Sequence, residues 1–190
     1  DGFKVTLFAA EPDVVQPIAF TFDDRGRMWV AECLSYPKWT KDGTGRDRII
    51  ILEDTDGDGV HDKRKVFADN LANLSGLEYG FGGVFICSLP TLKFIPDRDG
   101  DDVPDGPAET LLEGWDENCR HNVFNGLAWG PDGWLYGLNG ILSRSSVGPP
   151  GAPPGPSRLP STRRPASSPA GGIPEPTSVV PSAERSTAAL

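Results

Sequence analysis

Two Asp-rich loops occur at equivalent places in a repeated pattern of short strands, and this repeat restricts the fold more than any other sequence feature. "RIIILEDTDGDGVHDKRKVF" (48–67) and "TLKFIPDRDGDDVPDGPAETLL" (91–112) each place an acidic loop between two strands. The loops begin at Asp54 and Asp97, which are 43 residues apart. A period of about 40–50 residues that holds four short strands is typical of a β-propeller blade.

A second unit alternates with the first. "PIAFTFDDRGRMWVAE" (17–32), "LSGLEYGFGGVFICS" (74–88) and "FNGLAWGPDGWLYGLNG" (124–140) share an apolar strand, a Gly-containing turn and an aromatic-rich strand. Short runs of this kind, from "VTLFAA" (5–10) to "WLYGLNG" (134–140), predict strands, and little of the sequence predicts helix. We therefore expect an all-β fold, a partial β-propeller with about two and a half blades of a six-bladed ring. The alternative is a β-sandwich of similar strand count.

The composition changes abruptly at Gly148. No Phe, Trp or Tyr lies in residues 148–190, whereas eleven of the nineteen prolines do. Such a segment has too few large apolar side chains to offset the entropy of ordering it. The sequence predicts a propeller domain over 1–147 and a disordered Pro/Ser/Ala/Arg-rich tail over 148–190, which is either a natural linker or the product of a reading-frame shift.

Charge and cysteine content exclude several classes of protein. The net charge of −9 and the absence of a basic stripe argue against a nucleic-acid partner. No stretch has the eighteen or so apolar residues that a transmembrane helix needs, so we expect none in this chain. The three cysteines, Cys33, Cys87 and Cys119, are too few and too far apart for a disulfide framework or a zinc ribbon.

Both acidic loops have the pattern D-x-D-G-D-x-x-x-D, which suits a hard cation such as Ca²⁺. Oxygens at positions 1, 3 and 5, a backbone carbonyl at position 7 and an acid at position 9 can surround the ion. The last position of an EF-hand loop is not acidic in either case, and strands flank both loops, so neither is an EF-hand. The alternative is a solvated hairpin tip, since Asp and Gly favour turns by themselves. The predicted ligands of a structural calcium ion are Asp54, Asp56, Asp58, Val60 and Asp62 in the first loop, and Asp97, Asp99, Asp101, Val103 and Asp105 in the second.

The chain has two histidines, and only one is a candidate for chemistry. His61 lies inside the first acidic loop, where we expect a surface position. His121 leads from a polar cluster into a buried strand, and histidine is the usual general base near neutral pH. By spacing alone, the favoured interpretation of His121 is a residue that caps or hydrogen-bonds the turn.

"HNVFNGLAWGPDGWLYGLNG" (121–140) resembles the H-N-G-G-x-L-x-F-G-P-D-G-x-L-Y signature of the PQQ-dependent glucose/sorbosone dehydrogenase superfamily, with one extra residue after the His. "DGFKVTLFAAEPDVVQPIAF" (1–20) and "DRIIILEDTDGDGVHDKRKVFADNL" (47–71) are more closely similar to the N-terminal propeller of a bacterial family of membrane-bound dehydrogenases. The resemblance covers about residues 1–147.

The resemblance implies a quinoprotein that oxidises a sugar or an alcohol. His121 would take the hydroxyl proton, and PQQ would accept the hydride with Asn122 among its ligands. Arg144 in "SRSS" is a candidate partner for a quinone carboxylate, since Arg pairs bidentately with carboxylates, but a plain surface Arg is the favoured alternative. It also implies a periplasmic or extracellular location, and longer relatives carry a c-type haem domain as electron acceptor. Tyr36, Pro37 and Trp39 in "LSYPKW" would line the channel mouth or, alternatively, simply pack a long loop between strands.

A non-catalytic, calcium-stabilised propeller used for binding is the alternative function, because a propeller fold by itself does not imply catalysis. We expect this chain to be a truncated and inactive form of the dehydrogenase, since fewer than three blades leave half a channel.

Overall fold

The computed structural model describes residues 2–118, 121, 123–141, 143–152 and 187–189, the last three by their backbone only. The described part of the chain is all-β, as predicted, with three antiparallel sheets. The strands of the first sheet are β1 (Pro17–Phe22), β2 (Met28–Glu32), β3 (Asp47–Glu53) and β4 (Lys63–Leu71). Those of the second are β5 (Leu74–Tyr79), β6 (Gly83–Ser88), β7 (Thr91–Pro96) and β8 (Glu109–Glu113). The third consists of β9 (Asn125–Trp129), β10 (Leu135–Leu138) and β11 (Thr187–Ala189).

Within each of the first two sheets, consecutive strands pair with each other, so each sheet is an up-and-down meander. β1 contacts β5, and β5 contacts β9, so the first strands of successive sheets lie next to one another. This is the propeller-type arrangement that the repeat predicts; the number of blades in a closed ring stays a prediction.

The second sheet is buried on both faces. Val84 and Ile86 of β6 pack into a core with Trp29, Ile49 and other residues of the first sheet. Phe85, between them in sequence, points to the opposite face and packs with residues of the third sheet. Because side chains alternate across a strand, one apolar strand serves two cores. A β-sandwich, in which two sheets share one core, does not account for this middle sheet.

The prediction of a strand at 5–10 is wrong. This segment pairs with no described strand, and Val5 and Leu7 are 96% and 73% exposed. The end of the segment lies instead over the face of the first sheet that is opposite the core shared with the second sheet. There Phe8 and Ala9 pack with Val30, Ile50 and Leu52. Burial of those apolar groups, rather than strand pairing, contributes most directly to holding the segment in place.

His61 helps to hold this N-terminal segment, so its predicted surface position is also wrong. Its backbone N–H and its Nδ1 lie 3.2 and 2.9 Å from the carbonyl oxygen of Phe8. The side chain is 13% exposed. A partner 53 residues away in sequence was not visible in the local pattern.

Most of the predicted tail lies outside the described residues. Within 148–190, the structure describes residues 148–152 and 187–189. Gly148 forms an antiparallel bridge with Glu113. The disorder predicted for the rest therefore stays a prediction. The described residues contain no helix that is long and apolar enough to cross a membrane.

Candidate functional site

The candidate residues lie at opposite ends of the sheets. The turn between β1 and β2 and the two acidic loops share one end, since Arg27 of that turn contacts Asp102 of the second loop. The connections after β2 and before β9 share the other end, where Tyr36 contacts His121. A cation held by the acidic loops is therefore remote from His121, in keeping with a structural role.

The two acidic loops share several internal hydrogen bonds at equivalent positions. In both loops, a carboxylate accepts the N–H two residues ahead of it, and the position-nine Asp accepts an N–H from position two. These bonds join Asp58 to Asp56, Val60 to Asp58 and Thr55 to Asp62 in the first loop, and Asp101 to Asp99, Val103 to Asp101 and Arg98 to Asp105 in the second. The local Asp and Gly pattern therefore folds both loops in the same way.

Each loop gathers three carboxylates around one point. One ligand oxygen from each of Asp54, Asp56 and Asp58 lies within 4.8 Å of the others, and Asp97, Asp99 and Asp101 form the same cluster in the second loop. Asp62 and Asp105 lie outside these clusters, because their Oδ2 atoms accept the N–H groups that close the loops. The structure thus brings together six of the eight predicted acidic ligands, and the carbonyls of Val60 and Val103 stay predicted ligands.

The first position differs between the loops. Oδ1 of Asp54 accepts the N–H of Gly57 at 2.7 Å, and its Oδ2 accepts that of Gly59 at 2.9 Å. Asp97 is only 3% exposed, and its Oδ1 is buried without a hydrogen-bond partner. Burial, together with the charge of Asp102, raises the pKa of Asp97 above its ordinary value. A buried carboxylate oxygen without a partner is costly, so the second loop has the stronger need for a cation.

At the other end, His121 belongs to a small aromatic cluster. Its Nδ1 lies 2.7 Å from the hydroxyl of Tyr36, and the two ring centroids are 5.8 Å apart. The ring of Tyr36 also meets that of Trp39 edge-on at 5.9 Å, and Nε1 of Trp39 is buried without a hydrogen-bond partner. His121 itself is exposed, so a ligand has access to its ring.

Two other residues, Asn122 and Arg144, were predicted to bind PQQ. Asn122 lies outside the described residues. Arg144 is exposed, and it contacts Asp116 through its backbone N–H at 3.2 Å. PQQ is a polyanion and needs cationic partners. The described contacts of His121 and Tyr36 are with aromatic side chains, so these residues do not by themselves fit that cofactor.

Sequence reasoning missed two residues that join neighbouring segments, one at each end of the sheets. Asp47 is fully buried and joins the loop of Tyr36 to the start of β5. Asp102 stands where the first loop has Gly59, and it contacts Arg27 of the first sheet. The presence of Asp102 where the loop pattern expects Gly was the one sequence feature that could have indicated its contact with Arg27.

The family model described as "Domain of unknown function (DUF7133)" matches residues 1–151. No curated protein matches the chain.

Proposed function

The chain belongs to the DUF7133 family, and from the geometry of its loops we propose that it is a calcium-stabilised binding module of propeller type. The observation that carries the proposal is the buried, unpartnered Oδ1 of Asp97 beside the carboxylates of Asp99 and Asp101. Calcium prefers six to eight oxygen ligands in flexible geometry, which three carboxylates, a backbone carbonyl and water can supply.

Charge repulsion supports the same proposal for both loops. Three carboxylates within 4.8 Å repel one another, and a divalent cation converts this repulsion into attraction. In the first loop all three acids already accept N–H groups, so the empty loop is tolerated at little cost. Each ion would stabilise the loop that joins two consecutive strands. The proposal includes export to the periplasm or the cell exterior.

Calcium is expected to raise the melting temperature of the chelator-treated chain. At a calcium concentration of about 100 times Kd, binding adds about 2.7 kcal/mol to the stability of the folded state. For a domain of this size the melting temperature should then rise by roughly 5–10 °C. Thermal melts and calorimetric titrations measure both effects, with magnesium as the control ion. Equal melting temperatures in calcium and chelator, with no heat of binding, would refute the proposal.

A second candidate function is the oxidation of a sugar or an alcohol at His121. The observation that favours it is the exposed His121 ring with its Nδ1 hydrogen-bonded to Tyr36. In the tautomer whose Nδ1–H donates to the Tyr36 oxygen, this bond orients the ring and leaves the Nε2 lone pair available to take a proton from a substrate hydroxyl. The hydride would pass to PQQ, the acceptor that the resemblance to quinoproteins implies.

His121→Ala should abolish any dye reduction with aldoses in the presence of PQQ, whereas Tyr36→Phe should reduce the rate by about tenfold through loss of ring orientation. A steady-state dye assay measures both rates, with Tyr79→Phe as the matched control at the opposite end of the sheets. If the wild-type chain neither binds PQQ nor reduces the dye, the binding-module function stands alone. Unchanged rates in His121→Ala would also refute the second candidate.

A further inference from the structure

The second acidic loop is in contact with the first sheet as well as its own. Arg25 donates to the carbonyl oxygen of Gly100 at 3.2 Å, and Lys65 donates to that of Asp101 at 2.8 Å. Nη1 of Arg27 lies 2.8 Å from Oδ2 of Asp102. Three cationic side chains of the first sheet thus contact three consecutive residues of this loop.

Asp102 occupies the position of Gly59 in the first loop. Both residues have positive φ, 64° for Asp102 and 89° for Gly59, a conformation that costs glycine nothing. Asp tolerates it better than most other side chains. What the loop gains from Asp102 is a carboxylate directed at Arg27, which a glycine cannot provide.

Arg27 connects this contact to the core between the sheets. Its Nε lies 2.8 Å from Oδ2 of Asp23, and the same oxygen accepts the indole N–H of Trp29 at 2.9 Å. Trp29 is fully buried in the core that the first two sheets share. The side chains of Asp23 and Arg27 are 0% and 8% exposed. A continuous buried chain of contacts therefore runs from the second loop to the interface between the sheets.

We infer that Asp102 and Arg27 are a positioning pair through which calcium at the second loop tightens the contact between the first and second sheets. The inference rests on the proposed function of that loop. An occupied loop has fewer conformations, so the Asp102 carboxylate is held in place for Arg27. The first loop has Gly59 at this position and offers no such link, so its calcium should act locally.

Calcium-dependent hydrogen exchange of the full chain tests this pair. In the wild type, calcium should slow amide exchange in 97–105 and, by at least about fivefold, in 23–29. Asp102→Asn keeps the side-chain size and the backbone conformation but removes the charge. It should retain calcium protection of 97–105 and lose that of 23–29. Asp56→Asn, in the first loop, is the matched control and should leave both effects unchanged.

The outcomes separate the inference from the proposed function. Absence of calcium protection in 97–105 of the wild type would refute the calcium site and this inference together. Protection confined to 97–105, or protection of 23–29 that persists in Asp102→Asn, would refute the inference alone. Arg27→Gln provides a second variant of the same link and should behave like Asp102→Asn.

Discussion

Asp97→Asn is expected to weaken calcium binding at the second loop by at least about 100-fold, because calcium affinity depends strongly on the charge of its ligands. The same substitution should stabilise the calcium-free chain by about 1 kcal/mol. Burial and Asp102 raise the pKa of Asp97, so its ionised carboxylate opposes folding at neutral pH when no cation is bound. Asparagine removes this charge. Calorimetric titration and melts in chelator measure the two effects, which have opposite signs.

Asp54→Asn is the matched control, since it changes the equivalent position of the first loop. Both carboxylate oxygens of Asp54 accept N–H groups, and an amide side chain can accept only through its one oxygen. This variant should destabilise the calcium-free chain by about 1 kcal/mol. If the two variants change the stability of the calcium-free chain in the same direction, the distinction between the loops is wrong.

Asp47→Ala is expected to lower the stability by about 3–5 kcal/mol, a large fraction of the total for one domain. Asp47 is fully buried, and it accepts the N–H and the hydroxyl of Ser35 at 2.8 Å and the N–H of Leu74 at 2.9 Å. Its removal leaves these three donors, and the Cys33 thiol 3.8 Å from Oδ2, without their acceptor. The melting temperature should fall by roughly 10 °C.

Ser35→Ala is the control for Asp47→Ala, because it removes only the hydroxyl bond and should cost about 1 kcal/mol. Since Ser35 adjoins Tyr36, Asp47→Ala should also loosen the contact between Tyr36 and His121. The chemical shifts of the His121 ring report this contact. A melting temperature of Asp47→Ala equal to that of the wild type would show that water replaces the lost acceptor.

The strands and the acidic loops could be predicted from the sequence because they depend on neighbouring residues. Alternation of apolar side chains predicts a strand, and two such strands joined by a short Asp/Gly loop pair with each other. The loop hydrogen bonds repeat at the 43-residue offset because the same residues recur at the same spacing. The failure at 5–10 has a different cause, since the packing of Phe8 and Ala9 on Val30, Ile50 and Leu52 depends on residues distant in the sequence.

The sequence by itself determined the all-β repeat and the place of the three-carboxylate clusters, since these follow from contacts within one hairpin. Only the tertiary structure decided that Oδ1 of Asp97 is buried without a partner while both oxygens of Asp54 have one. It also decided that Asp102 contacts Arg27, and that Tyr36 meets His121, 85 residues away in the sequence. The physical reason is that burial and long-range polar contacts depend on how the sheets pack against one another, and two loops of the same pattern acquire different properties when their surroundings differ.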